Sequence, residues 1–194
     1  MNSSFSKIAL VLCGIALALI SNAEEQAVPE VSAKPLQAMQ RLAPLAGEWD
    51  MTVFYTPDDG ETWDASPAQV VNLEYGHKGF MLEEMPATLD GTGFHMRSWL
   101  SYDQYREVYR KAALDDVWGI FDLYEGTIED NRLILTNLAS GTFFPVEGGN
   151  WRGFKLTLEL QADQRWMWID KTDDEGTTWQ PAFKVQYVRR GQPG

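Results

Sequence analysis

From Glu48 to Arg190 the chain alternates apolar and polar residues with a period of two, and no other feature restricts its fold so strongly. The alternating segments are Trp49–Tyr55, Val70–Tyr75, Phe80–Met85, Phe94–Tyr102, Val108–Leu114, Val117–Tyr124, Arg132–Leu138, Phe154–Leu160, Trp166–Lys171 and Phe183–Arg190. Turn-forming clusters separate them, among them Asp58-Asp59-Gly60, Asp90-Gly91, Glu129-Asp130-Asn131 and Gly148-Gly149-Asn150. Consecutive strands with short turns form an antiparallel meander, and no βαβ crossover interrupts it, which excludes most nucleotide-binding architectures. A meander this long leaves two exposed edges unless it closes on itself. The expectation is an all-β domain over residues 35–191, an antiparallel up-and-down barrel of about ten strands. One short helix precedes it: Pro35 suits a first helical turn, Leu36, Met39 and Leu42 or Ala43 share a face, and Pro44 ends the run.

The first 23 residues read as a secretory leader. Lys7 supplies the positive charge, Ile8–Ile20 is an apolar run, and Ser21-Asn22-Ala23 has small residues where a signal peptidase cuts. The run is short for a bilayer, which takes roughly 20 apolar residues, so the mature chain is expected to have no membrane span. Residues 24–34 read as a linker, and the expected location is the periplasm or the exterior. Cleavage near Ala23 also removes Cys13, the only cysteine, and with it any disulfide, thiolate nucleophile or thiolate metal ligand. Eight Trp, nine Phe and seven Tyr can build a core without such staples. The net charge of −12 repels phosphate backbones and anionic lipid, so nucleic acid is not an expected partner.

One pattern, T-x-D-x-G-x-T-W, occurs twice, at Thr56–Trp63 and at Thr172–Trp179. It resembles the Asp box of bacterial sialidases. Asp58 and Asp174 can accept backbone N–H bonds across a turn, Gly60 and Gly176 allow positive φ, and Trp63 and Trp179 pack beneath. Two copies far apart do not make a propeller, so these are expected to be structural hairpin turns at one end of a barrel, on neighbouring hairpins.

Gly47-Glu48-Trp49 after a short helix, with Arg189-Arg190 ending the last strand, resembles the calycin superfamily, which includes lipocalins and fatty-acid-binding proteins. The resemblance implies that Trp49 packs against a terminal arginine, Arg189 or Arg190, as a structural plug at the closed end. The threonine-aspartate-tyrosine motif of true lipocalins is lacking. More closely, the chain resembles a bacterial family of secreted calycin-like domains of unknown function. That likeness rests on Leu45-Ala46-Gly47-Glu48-Trp49, Gly79–Glu84, Ser101-Tyr102-Asp103 with Tyr109, and Gly126-Thr127.

Little catalytic or metal-binding chemistry is visible. His77 and His95 are the only histidines and lack ligand spacing, so no metal and no cofactor is expected. No histidine follows His95, unlike haem-binding nitrobindin-like calycins, and no G-x-S-x-G elbow occurs. The acidic pairs Glu83-Glu84, Asp115-Asp116 and Asp173-Asp174 read as solvated surface. Three strand faces combine polar groups with aromatics: His95, Arg97 and Trp99; Trp118, Asp122 and Tyr124; Trp166, Trp168 and Asp170. Such faces suit either a ligand-lined lumen or a filled core with satisfied polar tips. The first reading makes this an exported barrel that binds a small apolar or amphipathic ligand, with Arg97 anchoring an anion and His95 beside it. The alternatives are an acid–base enzyme pairing His95 with Asp122 or Asp170, and an envelope interaction domain using the end that carries both T-x-D-x-G-x-T-W turns.

Overall fold

The computed structural model describes residues 33–77, 80–89 and 92–191. The expected leader and all of the expected linker before Ala33 lie outside the described residues. Helix α1 (Ala33–Gln40) starts two residues before Pro35, so Pro35 falls in the first turn, where its missing N–H costs nothing. A single 3-10 turn (Ala43–Leu45) follows, with Pro44 inside it rather than after it. Met39, Leu42 and Leu45 from this segment are fully buried and close one end of the barrel.

Ten strands form the barrel: β1 (Gly47–Tyr55), β3 (Gln69–His77), β4 (Phe80–Leu89), β5 (Thr92–Asp103), β6 (Val108–Asp115), β7 (Phe121–Glu129), β8 (Arg132–Thr136), β10 (Trp151–Glu159), β11 (Gln164–Thr172) and β12 (Gln180–Arg189). Two-residue strands β2 (Asp64–Ala65) and β9 (Phe144–Pro145) pair with β1 and β10. Every barrel strand pairs antiparallel with its chain neighbour. The β1–β12 pairing, Trp49 opposite Arg189 to Tyr55 opposite Phe183, closes the ring. The sheet therefore presents no free edge along its main ladder.

Core residues occupy alternate positions, as the period of two requires. Trp49 and Met51, Val71 and Leu73, Met81 and Met85, Leu133 and Leu135, and Val185 and Tyr187 all point inward. The strand directions put α1 and the β5–β6 and β10–β11 turns at one end, the plug end. The β1–β3, β6–β7 and β11–β12 turns lie at the other.

Several strands differ in extent from the sequence reading: β4 runs on to Leu89 rather than Met85, and β10 begins at Trp151 rather than Phe154. β7 begins at Phe121 rather than Val117, because Asp115 caps the turn: its carboxylate accepts the N–H groups of Val117 (3.0 Å), Trp118 (2.6 Å) and Ile120 (3.3 Å). β3 runs on to His77, where the β3–β4 register shifts between Tyr75 and His77.

Candidate functional site in the barrel lumen

The plug forms first in sequence and explains the G-x-W pattern. Gly47 has φ +123°, and a Cβ placed there would lie 2.5 Å from the Arg189 guanidinium. Only glycine allows both the backbone turn and that close approach. Trp49 is fully buried and its Nε1–H donates to the Leu45 carbonyl at 2.9 Å. The Arg189 guanidinium lies 4.1 Å from the indole centre and donates to the carbonyls of Ala46 (3.0 Å) and Pro44 (2.8 Å). Arg190 is turned outward, forming a half-exposed ion pair with Asp50. Of the two arginines left open by the sequence, the one at Trp49 is Arg189.

A second arginine reaches the same indole. Arg165, at the start of β11, sits 3.7 Å from the Trp49 ring centre and 4.6 Å from that of Tyr187, its cross-strand neighbour. It is 0 % exposed. Its Nη2 comes within 3.5 Å of the Leu45 carbonyl, while Nε and Nη1 meet no acceptor among the described residues. Burial lowers its pKa to about 10, offset in part by Tyr187 and Glu83 and reinforced by Arg189, so it remains charged at neutral pH.

Above the plug, three strands each place one ion in phase with their apolar residues. β4 turns Glu83 inward between Met81 and Met85, β6 does so with Lys111, and β11 with Arg165. Glu83 faces Ser98 across the β4–β5 ladder, and its Oε2 accepts from Ser98 Oγ at 2.9 Å and from Lys111 Nζ at 2.8 Å. Burial pushes the Glu83 carboxyl up, but the charge of Lys111 and the bonds from Lys111 and Ser98 prevail and hold it below its ordinary value. Burial, and then the Glu83 charge, raise the Tyr187 phenol well above its ordinary value. Glu83, Ser98, Lys111 and Tyr187 line a lumen cavity of about 30 Å³, walled otherwise by leucines and methionines. That volume is about one water molecule.

A separate polar network fills the lumen toward the far end. Asp122 Oδ1 accepts from Thr142 Oγ1 (2.6 Å) and from Asn137 Nδ2 (3.2 Å), and Tyr124 donates to Oδ2. Burial, then the adjacent Asp122 charge, raise the Tyr124 phenol well above its usual range.

The face of β5 expected to line the lumen is the outer one. Met96, Ser98 and Leu100 point inward, so His95 and Arg97 are exposed and Trp99 is half-buried on the outside. The His95 side chain is 79 % exposed and its Nδ1 lies 3.2 Å from Asp116. Arg97 pairs across the ladder with Glu84. Neither carboxylate expected beside His95 is its partner: Asp122 is inside, and Asp170 pairs with Lys155 on the outer face at 2.9 Å. Asp122 and Tyr124 do share the inner face, whereas Trp118 stands in the β6–β7 turn, 51 % exposed. Trp166 and Trp168 are half-buried on the outer face, near Phe54 and Arg132.

Both repeated turns have one hydrogen-bond scheme. Asp58 accepts from the Thr62 N–H (2.7 Å) and hydroxyl (2.7 Å), and Asp174 accepts from those of Thr178 (2.9 and 2.7 Å). Gly60 and Gly176 each take positive φ and donate to Thr56 and Thr172. Trp63 and Trp179 lie beneath Lys184 (4.2 Å) and Lys155 (4.5 Å). The hairpins are neighbours, joined by a 2.8 Å ion pair between Lys171 and Asp59.

Glu83 and Asp115, read as solvated surface, are buried instead, and the sequence reading missed Ser98, Lys111, Arg165 and Tyr187. A signal was present: Met81-x-Glu83-x-Met85 and Arg165-x-Met167 carry a charge at a core phase. Among the described residues no group of three His, Cys, Asp or Glu side chains could hold a metal ion, and no helix is long and apolar enough to cross a membrane.

A closed ten-stranded antiparallel barrel with a short N-terminal helix and a Trp–Arg plug is a calycin-like barrel. Residues 34–189 match the model of a family described as "Protein of unknown function (DUF1579)", and the chain belongs to that family. A comparison with curated proteins finds no match.

Proposed function

We propose that this protein is an exported binding barrel for a small amphipathic ligand, held inside the barrel rather than on the β5 outer face. The observation that carries the reading is the set of Glu83, Ser98, Lys111 and Tyr187 placed among apolar walls around the 30 Å³ cavity, with the buried Arg165 against the Tyr187 ring. A few convergent polar groups in an apolar enclosure are the composition of a ligand site. The cavity admits only a water-sized group as it stands, so a longer apolar part requires the flexible Met81 and Met167 side chains in its wall to shift. Native mass spectrometry of the purified protein, with tryptophan quenching by a series of amphiphiles, tests this. A retained small mass or saturable quenching is the expected result; neither, across the series, refutes it. Export is tested by the intact mass of the secreted or periplasmic form, which should begin at Glu24. Catalysis by His95 is not proposed, because that side chain is solvent-facing and paired with Asp116.

One observation favours a second reading, an envelope interaction domain. Leu114, Trp118, Phe121 and Leu123 form an exposed apolar surface on the β6–β7 hairpin, at the end that carries both repeated turns. A Trp118→Ser/Phe121→Ser variant should then lose envelope association while unfolding at the same urea concentration. Unchanged association would remove the reading.

A further inference from the structure

We propose that the plug end of the lumen binds one compact anionic group, with Arg165 as its principal donor and Lys111 and Ser98 beside it. The inference rests on the binding-barrel reading and adds to it the chemistry of the ligand.

Charge leads to it first. Arg165 is a fully buried cation and Lys111 a mostly buried one, and among the described residues Glu83 is the one buried anion beside them, so this part of the lumen is a net cation inside a chain of net charge −12. Buried charges are ordinarily paired. Glu83 Oε2 is engaged by Lys111 and Ser98, and Asp122 belongs to the network toward the far end.

The two arginines on Trp49 provide an internal comparison. Each guanidinium lies over the indole, its central carbon 3.7 Å (Arg165) and 4.1 Å (Arg189) from the ring centre. Stacking uses the π face of a guanidinium and leaves its N–H bonds directed outward in the plane, still needing acceptors. Arg189 spends its donors on the carbonyls of Ala162, Ala46 and Pro44. Arg165, although more deeply buried, spends only Nη2, and at 3.5 Å. Its Nε and Nη1 meet no acceptor among the described residues. Packing against Trp49 therefore accounts for the position of Arg165 and not for its donors. An acceptor in the plane of the guanidinium would satisfy both nitrogens, as an anion can.

Position and size define the guest. Arg165 is not itself in the wall of the 30 Å³ cavity; it lies against the Tyr187 ring and reaches toward the Leu45 carbonyl, and both of those residues are. A space of that size suits a halide or the carboxylate end of a slim aliphatic acid better than the bulkier sulfate and phosphate esters. The shared chemistry is a small, singly charged acceptor.

The test titrates the full-length purified chain with sodium chloride, sodium acetate and straight-chain carboxylates up to dodecanoate, using sodium sulfate at equal ionic strength as reference. Calorimetry and the thermal midpoint are the readouts. Saturable binding of chloride or acetate, absent with sulfate and weakened at least about tenfold in Arg165→Met, is expected from the loss of a charge-assisted contact. Chloride binding alone identifies a free ion as guest, while affinity that rises with carboxylate length identifies the head of an amphiphile. Arg165→Lys keeps the charge without the fork and should bind with intermediate affinity, which guards against misfolding of the first variant. No anion binding by the wild-type chain overturns the proposal. So does a neutral ligand retained equally by wild type and Arg165→Met, a result that would leave the binding-barrel reading standing.

Discussion

Among the described residues Glu83 is the one anion beside the buried Arg165 and the mostly buried Lys111, so its loss should destabilise the barrel more than the loss of Lys111. The Lys111–Glu83 contact of 2.8 Å corresponds to about 6 kcal/mol of gross attraction at an effective dielectric constant of about 20. Most of that is offset by the desolvation of two ions. Removing one partner forfeits the attraction and keeps the other ion's penalty. Glu83→Gln leaves both Lys111 and Arg165 without a buried counter-charge and should cost about 3–5 kcal/mol. Lys111→Met leaves Glu83 with the Ser98 hydroxyl and the field of Arg165, and should cost roughly 1–3 kcal/mol. The double variant removes one of the two cations that Glu83→Gln strands. It should therefore be more stable than Glu83→Gln alone, despite the extra substitution. Urea unfolding at pH 7, followed by tryptophan fluorescence at fixed salt, gives the cycle. Additive costs, or a larger loss from Lys111→Met, would refute the claim that Glu83 neutralises this end of the lumen.

Arg189→Met should cost about 1–3 kcal/mol by leaving the Pro44 and Ala46 carbonyls without a donor, whereas Arg190→Ala should change stability by less than about 0.5 kcal/mol; equal urea midpoints would contradict the plug assignment. Gly126→Ala would set a Cβ 1.9 Å from the Ile134 carbonyl oxygen, a backbone atom in the paired strand, and should cost about 3 kcal/mol or prevent folding; a normal thermal midpoint would show that β7 and β8 can separate there. Asp174 is held down to about 2 by the Thr178 N–H and then the Thr172 and Thr178 hydroxyls, below its ordinary 3.8. Its contribution to stability is thus present above about pH 4 and lost as pH falls toward 2, and Asp174→Asn should flatten the urea-midpoint profile across that interval; parallel profiles would show that the carboxylate does not stabilise the turn.

The fold was legible because period-two alternation specifies strands and turn residues specify where they end. The plug was legible as a set of candidates, and Gly47 shows why: a positive φ and an arginine resting on its Cα leave one residue type possible. The faces of β5 were not legible. Phe94-His95-Met96-Arg97-Ser98-Trp99-Leu100 mixes polar and apolar residues on both faces, and the lumen takes the face with Ser98 because Glu83 opposite it needs a hydroxyl partner. The large aromatics that marked such faces as interior, Trp99, Trp166 and Trp168, lie half-buried on the outside, where Trp166 meets Phe54 and Trp168 has Arg132 over its ring. Asp122 was read with the wrong neighbours, since Asn137 stands one residue past the end of β8, inside a segment read as strand to Leu138, and Thr142 reaches it from the loop beyond.

The lumen ions show where a barrel's chemistry resides in its sequence. Each is visible alone as a charge at a core phase: Glu83 between methionines, Lys111 two residues after Tyr109, Arg165 two before Met167. A single such charge predicts only a cost. What turns three costs into a site is registry between strands far apart in the chain. Glu83 meets Ser98 through β4–β5, Arg165 meets Tyr187 through β11–β12, and Tyr187 stands opposite Met51 on β1 through the closing seam. Because the strands run consecutively around a closed ring, their register also sets the level of each ion along the barrel axis. In-phase charges at one level must then be balanced against each other. Here that balance leaves one positive charge, and it falls on the arginine whose Nε and Nη1 meet no acceptor among the described residues.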